Sequence, residues 1–356
     1  MKKYFQREFH YDFLLLEFII ANNLYSEKNG LESAILSYEE RSEEIVIYGV
    51  KYGDRFATKL ETLETEMSAL LNLPLTEKII REGIVEYHFQ TVKPERLVIE
   101  TSTEMEKHTN KIEINLGYGI VYSPVECPHI LVSGGTGSGK SVFISYLLLE
   151  FFKRKSTVYI CDPKNSDLGS LSHYLGEEKV ATSPNNIARV VRLAVTEMND
   201  RYKYMNENFK YGSNAIDHGF QPVWLIFDEM GAFQASGTDK KSKEIVNEVM
   251  NGLKQIILLG RQANVFILIA AQQMRSETLS TDLRDNLGLR IALGANSSEG
   301  YRMVFGSATP ETIPPIEVKG SGLLYKQGTG KSGEYYESPY VDMQKFDFIE
   351  ELKKYI

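Results

Sequence analysis

The chain has 356 residues, of which 42% are hydrophobic and 25% charged, and a formal net charge of −8. That composition suits one large α/β domain with a smaller companion. The acidic balance argues against a general nucleic-acid-binding surface but leaves room for a local basic loop, because exposed charges are screened beyond ~8 Å at physiological salt. Cys127 and Cys161 supply neither a disulfide framework nor a zinc ligand set, and read as small buried hydrophobes in a reducing compartment.

Near the start, Phe9, Phe13, Leu16 and Ile20 share one helical face. The apolar run Phe13–Ala21 carries Glu17 and is shorter than the ~20 residues of a membrane span. The mixed-sign stretch before it lacks a cleavage site, so a cytosolic location is expected. EEIVIYGVKY (Glu43–Tyr52) predicts a strand and FATKLETLETEMSALLNL (Phe56–Leu73) a helix closed by Pro74. GIVEYHFQTV and ERLVIET add strands. Residues 1–110 thus read as a small α+β module for packing or oligomerisation.

From Ile112 strands alternate with helices, the pattern of a parallel sheet with crossovers. Strands are expected over 129–134, 156–162, 222–228, 264–272 and 289–295, and helices over 140–153, 184–206 and 242–261. A terminal hairpin, SGLLYKQGTGKSGEYYESPYV, follows. The expected layout is a module at 1–110, an α/β domain at 111–346 and a tail at 347–356.

Between the first of those strands and its helix lies GGTGSGKS, Gly134, Gly135, Thr136, Gly137, Ser138, Gly139, Lys140 and Ser141. Glycines let backbone N–H groups turn inward around phosphate oxygens, and the helix start adds a partial positive charge. Lys140 is expected to reach the terminal phosphates and Ser141 to bind Mg²⁺. Further on, VWLIFDEM ends a strand with Asp228, expected in the Mg²⁺ shell, and Glu229, expected to orient or deprotonate the attacking water. The next strand ends at Gln272, a candidate contact to the terminal phosphate or water. No Asn-Lys-x-Asp reads guanine, so ATP is the expected nucleotide. A second GTGKS, within Tyr325–Ser332, has Tyr325 where the first glycine belongs and is expected to be a hairpin turn.

Four blocks, in order, resemble the FtsK/SpoIIIE branch of the FtsK–HerA superfamily of hexameric DNA pumps. They are CPHILVSGGTGSGKSVFI; VYICDPKNSDL with Asp162, Pro163 and Lys164; EMNDRYKYM (Glu197–Met205); and LIFDEMGAF followed by GRQANVFILIAAQQ and LRIALGANSSEGYRMVFG. The resemblance covers roughly residues 110–345. It implies a RecA-like P-loop NTPase core, a mainly parallel sheet flanked by helices, with ATP and Mg²⁺ as ligands, hydrolysis coupled to DNA movement, and a homo-oligomer, a hexameric ring. It also implies an arginine reaching into the neighbouring subunit's site, for which Arg201 is the first choice, ahead of Arg261 and Arg290.

The membrane-spanning N-terminal region and C-terminal winged helix of the chromosome translocases have no counterpart in the sequence. The expectation therefore leans to the coupling ATPase of a conjugative or mobile-element system, with a relaxase and membrane channel proteins as partners and recruitment to the inner face of the membrane. If the chain forms a ring pump, its DNA contacts are expected on two loops, one with Lys240, Lys241 and Lys243, the other with Arg275 and Arg284. Two alternatives are a related motor that moves protein and a slow, nucleotide-dependent docking platform.

Overall fold

In the computed structural model the described residues are 10–27, 32–73, 75–92, 94–100, 112–274, 279–329, 332–342 and 344–356. The chain divides into two units, Met1–Pro94 and Glu95–Ile356. The division therefore falls earlier than the boundary expected after residue 110.

In the first unit, strands β1 (Ile35–Glu40), β2 (Glu44–Val50), β3 (Leu75–Ile80) and β4 (Ile84–Gln90) form an antiparallel sheet in the order β1-β2-β4-β3. Ile45, Ile47, Tyr87 and Phe89 build its core with Leu15 and Phe18 of helix α1 (His10–Ala21). Phe13, Leu16 and Ile20, expected on one helical face, lie on the exposed side of this helix, and Phe9 lies outside the described residues. HYDFLLLEFIIA is apolar nearly all round, so its periodicity cannot choose the inward face; packing does.

The helix expected over 56–73 is also shorter. Only α2 (Glu64–Leu71) is α-helical, preceded by a 3₁₀ turn at Lys59–Glu61. The buried Tyr87 hydroxyl splits the two by accepting from the Leu63 amide at 3.1 Å and donating to the Leu60 carbonyl at 2.6 Å. Pro74, the expected stop, lies outside the described residues.

The second unit is built on short apolar runs too hydrophobic for a solvent-facing strand. They form β8 (Ile130–Gly134), β9 (Thr157–Cys161), β10 (Val180–Ala181), β11 (Val223–Asp228), β12 (Val265–Ala271) and β13 (Leu289–Leu293), all parallel. A hairpin, β14 (Ser321–Lys326) and β15 (Glu334–Glu337), adds antiparallel strands at one edge, giving the order β10-β9-β11-β12-β8-β13-β14-β15. The second GTGKS falls at the turn of this hairpin, with Gly330 and Lys331 outside the described residues.

Both faces of the sheet are covered. Ile130, Val132, Trp224 and Ile226 pack against helix α3 (Lys140–Lys153). Leu131, Leu225, Phe227 and Ile267 pack against α4 (Pro184–Glu207) and α5 (Lys240–Leu259). This alternation along each strand is the period-two pleat of a doubly covered sheet.

Before β8, a pair β6 (Ile114–Gly117) and β7 (Ile120–Tyr122) forms a small hairpin. The two-residue strand β5 (Val98–Ile99) pairs in parallel with β16 (Tyr340–Val341). The expected tail is not loose. Asp347 caps a short helix α6 (Phe348–Leu352), and Leu352 is fully buried in the core with α3.

His129, just before β8, is fully buried with φ 64°. Its Nδ1 accepts from the Ile267 amide at 3.1 Å, so its Nε2 carries the proton and donates to the Ile257 carbonyl at 3.0 Å. The Pro-His lead of the phosphate-loop block is therefore a structural fastening between β8, β12 and α5, and burial pushes the imidazole down to about 4.

Candidate nucleotide site

β8, an interior strand, ends at Gly134 on the C-terminal rim of the sheet, and the chain then loops into α3. A Cβ at Gly134 would collide with the Ser138 hydroxyl and crowd the Leu293 carbonyl oxygen at 3.1 Å. Gly137 and Gly139 take φ of 81° and 98°, which only glycine adopts without strain. Gly135, Thr136 and Gly137 are exposed. No side chain caps the start of α3, so its first amides are available to an anion.

The candidate catalytic side chains converge from three strand ends. Lys140 Nζ lies 2.8 Å from Asp228 Oδ1 and 3.8 Å from Glu229 Oε2. The Glu229 amide donates to the Ala270 carbonyl at 2.8 Å, tying the end of β11 to β12. Glu229 itself sits in the left-handed region at φ 55°, ψ 54°. That conformation costs a non-glycine residue roughly 1–2 kcal/mol, and such outliers cluster at functional sites. Gln272 is exposed, and its backbone amide points to Glu229 Oε2 at 3.3 Å. The structure therefore brings Lys140, Asp228, Glu229 and Gln272 together, with Gln272 approaching through its main chain.

One contributor was absent from the expected site residues. Lys164, from the loop after β9, places Nζ 3.4 Å from Glu229 Oε2. Buried Asp162 shapes that loop. Its Oδ1 accepts from the Lys164 amide at 3.1 Å, while Oδ2 accepts from the Ser166 amide at 2.7 Å, the Ser166 hydroxyl at 2.8 Å and the Gly169 amide at 2.9 Å. Asp-Pro-Lys at a strand tip is the signal that could have flagged it, since β9 lies directly beside β11.

Ser141 is exposed at the start of α3 and Asp228 faces Lys140 across the cleft. Among the described residues no cluster of three acidic, His or Cys ligands exists. Two protein oxygens beside a phosphate loop are the donor set of Mg²⁺, which keeps phosphate and water ligands for its other positions. Ser141 and Asp228 fit that ion, which when bound supplies charge neutralisation for the phosphates.

The arginine expectation is corrected. Arg201 is buried, with Nε 2.9 Å from Glu197 Oε1, a terminal nitrogen donating to the Ala263 and Asn264 carbonyls at 2.9 and 3.2 Å, and its guanidinium over the Phe220 ring. It staples α4 to the entry of β12 and presents nothing to a neighbouring molecule. Arg290 is likewise buried, donating to the Leu287 and Phe305 carbonyls. Arg261 is exposed, with Nε on the Val125 carbonyl at 2.8 Å.

Of the expected DNA-contacting residues, Arg284 is corrected too, since it is buried and held by Asp285 at 3.1 Å. Arg275 lies outside the described residues. Lys240, Lys241 and Lys243 are exposed, on the first turn of α5 and not on a loop. The Asp239 carboxylate caps that turn, accepting from the Lys241 and Ser242 amides at 2.8 and 3.1 Å. The three cations share this turn with the Asp239 carboxylate and the exposed Glu244.

The FtsK/SpoIIIE family model matches residues 97–305, which contain the whole site. The FtsK domain-containing protein YdcQ of Bacillus subtilis is 30% identical over 358 residues, covering 95% of this chain and 72% of that protein. The DNA translocase FtsK of Staphylococcus aureus (strain Mu50) is 27% identical over 252 residues, covering 63% of this chain, and the match spans only 30% of that protein's length. Among solved structures, the pCW3 conjugation coupling protein TcpA, in a monomer form with ATPγS, superposes with a TM-score of 0.62 at 19% identity, covering 91% of this chain and 94% of that one. With a phosphate loop, an Asp-Glu strand end and a mainly parallel sheet in the family's order, the chain belongs to the FtsK/SpoIIIE family and is a P-loop ATPase.

Proposed function

We propose that the chain is an ATP-driven DNA translocase, the motor of a conjugative or mobile-element DNA transfer system. The observation that carries this reading is the breadth of the likeness to the coupling-protein fold, which spans 91% of this chain and 94% of the other. It is supported by Lys140, whose Nζ lies within 3.8 Å of both Asp228 and Glu229 beside the glycine loop inside the family match.

In this reading the phosphate-loop amides and Lys140 hold the phosphates of ATP. Ser141 and Asp228 would hold Mg²⁺, which would neutralise phosphate charge. Glu229 accepts a proton from the water that attacks the terminal phosphorus, and the bond to the bridging oxygen breaks to leave ADP and phosphate. Lys164 and the Gln272 amide fix the Glu229 carboxylate from two sides. The chain works as a homo-hexameric ring in which Arg261, the exposed member of the three candidate arginines, reaches the neighbour's site. Lys240, Lys241 and Lys243 contact DNA phosphates without reading sequence. Relaxase and membrane channel proteins are its partners. No helix among the described residues is long and apolar enough to cross a membrane. In this reading the partners recruit the chain to the inner face of the membrane.

The test is the ATPase rate with and without double-stranded DNA at moderate salt. Severalfold stimulation is expected, declining as salt rises. A rate unmoved by DNA overturns the DNA-motor reading and favours a protein-moving ATPase or a slow docking platform.

A further inference from the structure

At the rim opposite the phosphate loop, where the parallel strands begin, two loops lie side by side. One, residues 208–222, leads from α4 into β11, and the other, 260–264, leads from α5 into β12. They are fastened together, the Ala215 amide donating to the Gln262 carbonyl at 3.0 Å and the Gln262 side chain to the Ser213 carbonyl at 3.3 Å. The Ser213 amide and hydroxyl both donate to the Lys210 carbonyl, at 3.1 and 2.7 Å, and so hold the tip of the longer loop. That tip presents Phe209 and Tyr211, 75% and 92% exposed, with Lys210 between them. Tyr204 at the end of α4 and Leu258 and Leu259 at the end of α5 are exposed at the same rim, beside exposed Arg261. Tyr202 joins the two helix ends through its hydroxyl, which donates to the Leu259 carbonyl at 2.6 Å. Five large apolar side chains gathered at one end of the domain exceed the scatter of an ordinary surface.

The other rim carries a smaller and unlike face. Ile316, Glu317 and Val318 wall the cleft that opens at Thr136 and Gly137. Pro315 and Val318 are exposed, and Glu311 and Glu317 outnumber Lys319 in that loop. At the aromatic rim the balance is reversed, for Lys203, Lys210, Lys254 and Arg261 outnumber Asp200, Glu207 and Asp217. The strands between the rims have five to seven residues, roughly 17–23 Å at ~3.3 Å per residue. Arg261 therefore cannot meet Lys140 of its own chain. Two complementary, unlike faces at opposite ends of one domain are what a head-to-tail contact between copies needs.

We propose that Phe209 and Tyr211, with Leu258 and Leu259, form the surface on which one copy of the chain docks against segment 315–318 of the next. Burying the aromatic tip there would carry Arg261 to the neighbour's phosphate loop. This surface rests on the ring reading and adds to it the side chains that hold the ring, none of which touches nucleotide. A second copy fits better than unpaired nucleic acid, because Leu258 and Leu259 offer no ring for a base to stack on.

The test is light scattering of the full chain over a range of concentrations in Mg-ATPγS, with and without a short DNA duplex. The chains compared are wild type, the double variant F209S/Y211S, Lys210→Glu and Val318→Asp. Wild type should assemble beyond the monomer. The double variant should raise the concentration of half-assembly at least about tenfold, as loss of aromatic anchors does at an interface, while binding ATPγS within about twofold of wild type. Lys210→Glu should shift assembly in the same direction, and it answers the question should the double variant fail to fold. Val318→Asp should assemble as poorly as the double variant. An equal mixture of those two defective chains should nevertheless give dimers, because each retains the face that the other has lost. A double variant that assembles as wild type does overturns this surface and leaves the ring reading intact; if it has lost single-stranded DNA binding instead, the tip is a base-stacking platform. Normal assembly of Val318→Asp overturns the head-to-tail pairing. A wild type that stays monomeric under every condition overturns the ring reading and this surface together.

Discussion

Acidifying the protein from pH 7 to pH 5 should cost its ATPase unit about 2 kcal/mol through His129 alone. In the native state this imidazole is pushed down to about 4 from an ordinary 6.5, by full burial. The folded protein therefore binds fewer protons than the unfolded chain between those values. The stabilisation is fully present above the unfolded pKa, falls as pH drops through 6.5 toward 4, and is exhausted below 4. At about 1.4 kcal/mol per pH unit the complete loss is about 3 kcal/mol, of which roughly 2 is spent by pH 5. The geometry explains the cost: protonating Nδ1 would set an N–H against the Ile267 N–H that now donates to it. Urea unfolding at several pH values can be followed through Trp224, the chain's single tryptophan. Its ring lies 5.1 Å from that of Phe266, which is itself 6.1 Å from the His129 ring. Other groups titrate over this range, so the informative quantity is the difference between wild type and His129→Gln, which can donate to Ile257 but cannot gain a proton. Wild type should lose about 2 kcal/mol more than the variant between pH 7 and 5. Parallel pH curves would refute the reasoning.

Glu229→Gln should bind ATP normally and hydrolyse it roughly 10²–10³-fold more slowly, measured as single-turnover phosphate release; normal turnover would remove Glu229 from the water-activating role. Lys164→Ala should lower kcat about tenfold with ATP affinity unchanged, because it loosens the Glu229 carboxylate without touching the phosphates. Lys164→Arg should recover part of that loss, and an affinity defect with normal kcat would contradict the positioning role. Arg201→Ala should cost about 2–4 kcal/mol in urea unfolding, since it strands the Ala263 and Asn264 carbonyls. Mixing that variant with Lys140→Ala should restore no ATPase activity, and restoration would reinstate Arg201 as a residue acting between subunits.

The sheet was legible because its strands are apolar runs of strand length ending at chemically marked residues, and buried strands have few other ways to be written. The phosphate loop was legible because its glycines are demanded by local backbone geometry. What escaped reading was nonlocal. Lys164 meets Glu229 only because β9 lies next to β11, a neighbour relation that the order along the chain does not state. The break before α2 depends on a tyrosine hydroxyl arriving from β4. The misplacement of Arg201 is a different case, for the information was there. Ala194, Met198, Arg201 and Met205 recur at helical spacing and are buried together on one face of α4. The motif drew attention to the charge, and the periodicity around it pointed inward.

The pairing of Lys140 with Asp228 has a consequence for which anions the proposed site is expected to accept. Lys140 Nζ and Asp228 Oδ1 are counter-ions 2.8 Å apart. A lone phosphate or sulfate could recruit Lys140 only by abandoning Asp228 to a poorly solvated cleft, where an uncompensated carboxylate is costly. A polyphosphate that arrives with a divalent cation repays both partners at once, one charge to Lys140 and the other to Asp228. In the proposed ATPase site, selection of a nucleotide–metal complex over small anions is therefore expected to begin with this exchange of partners.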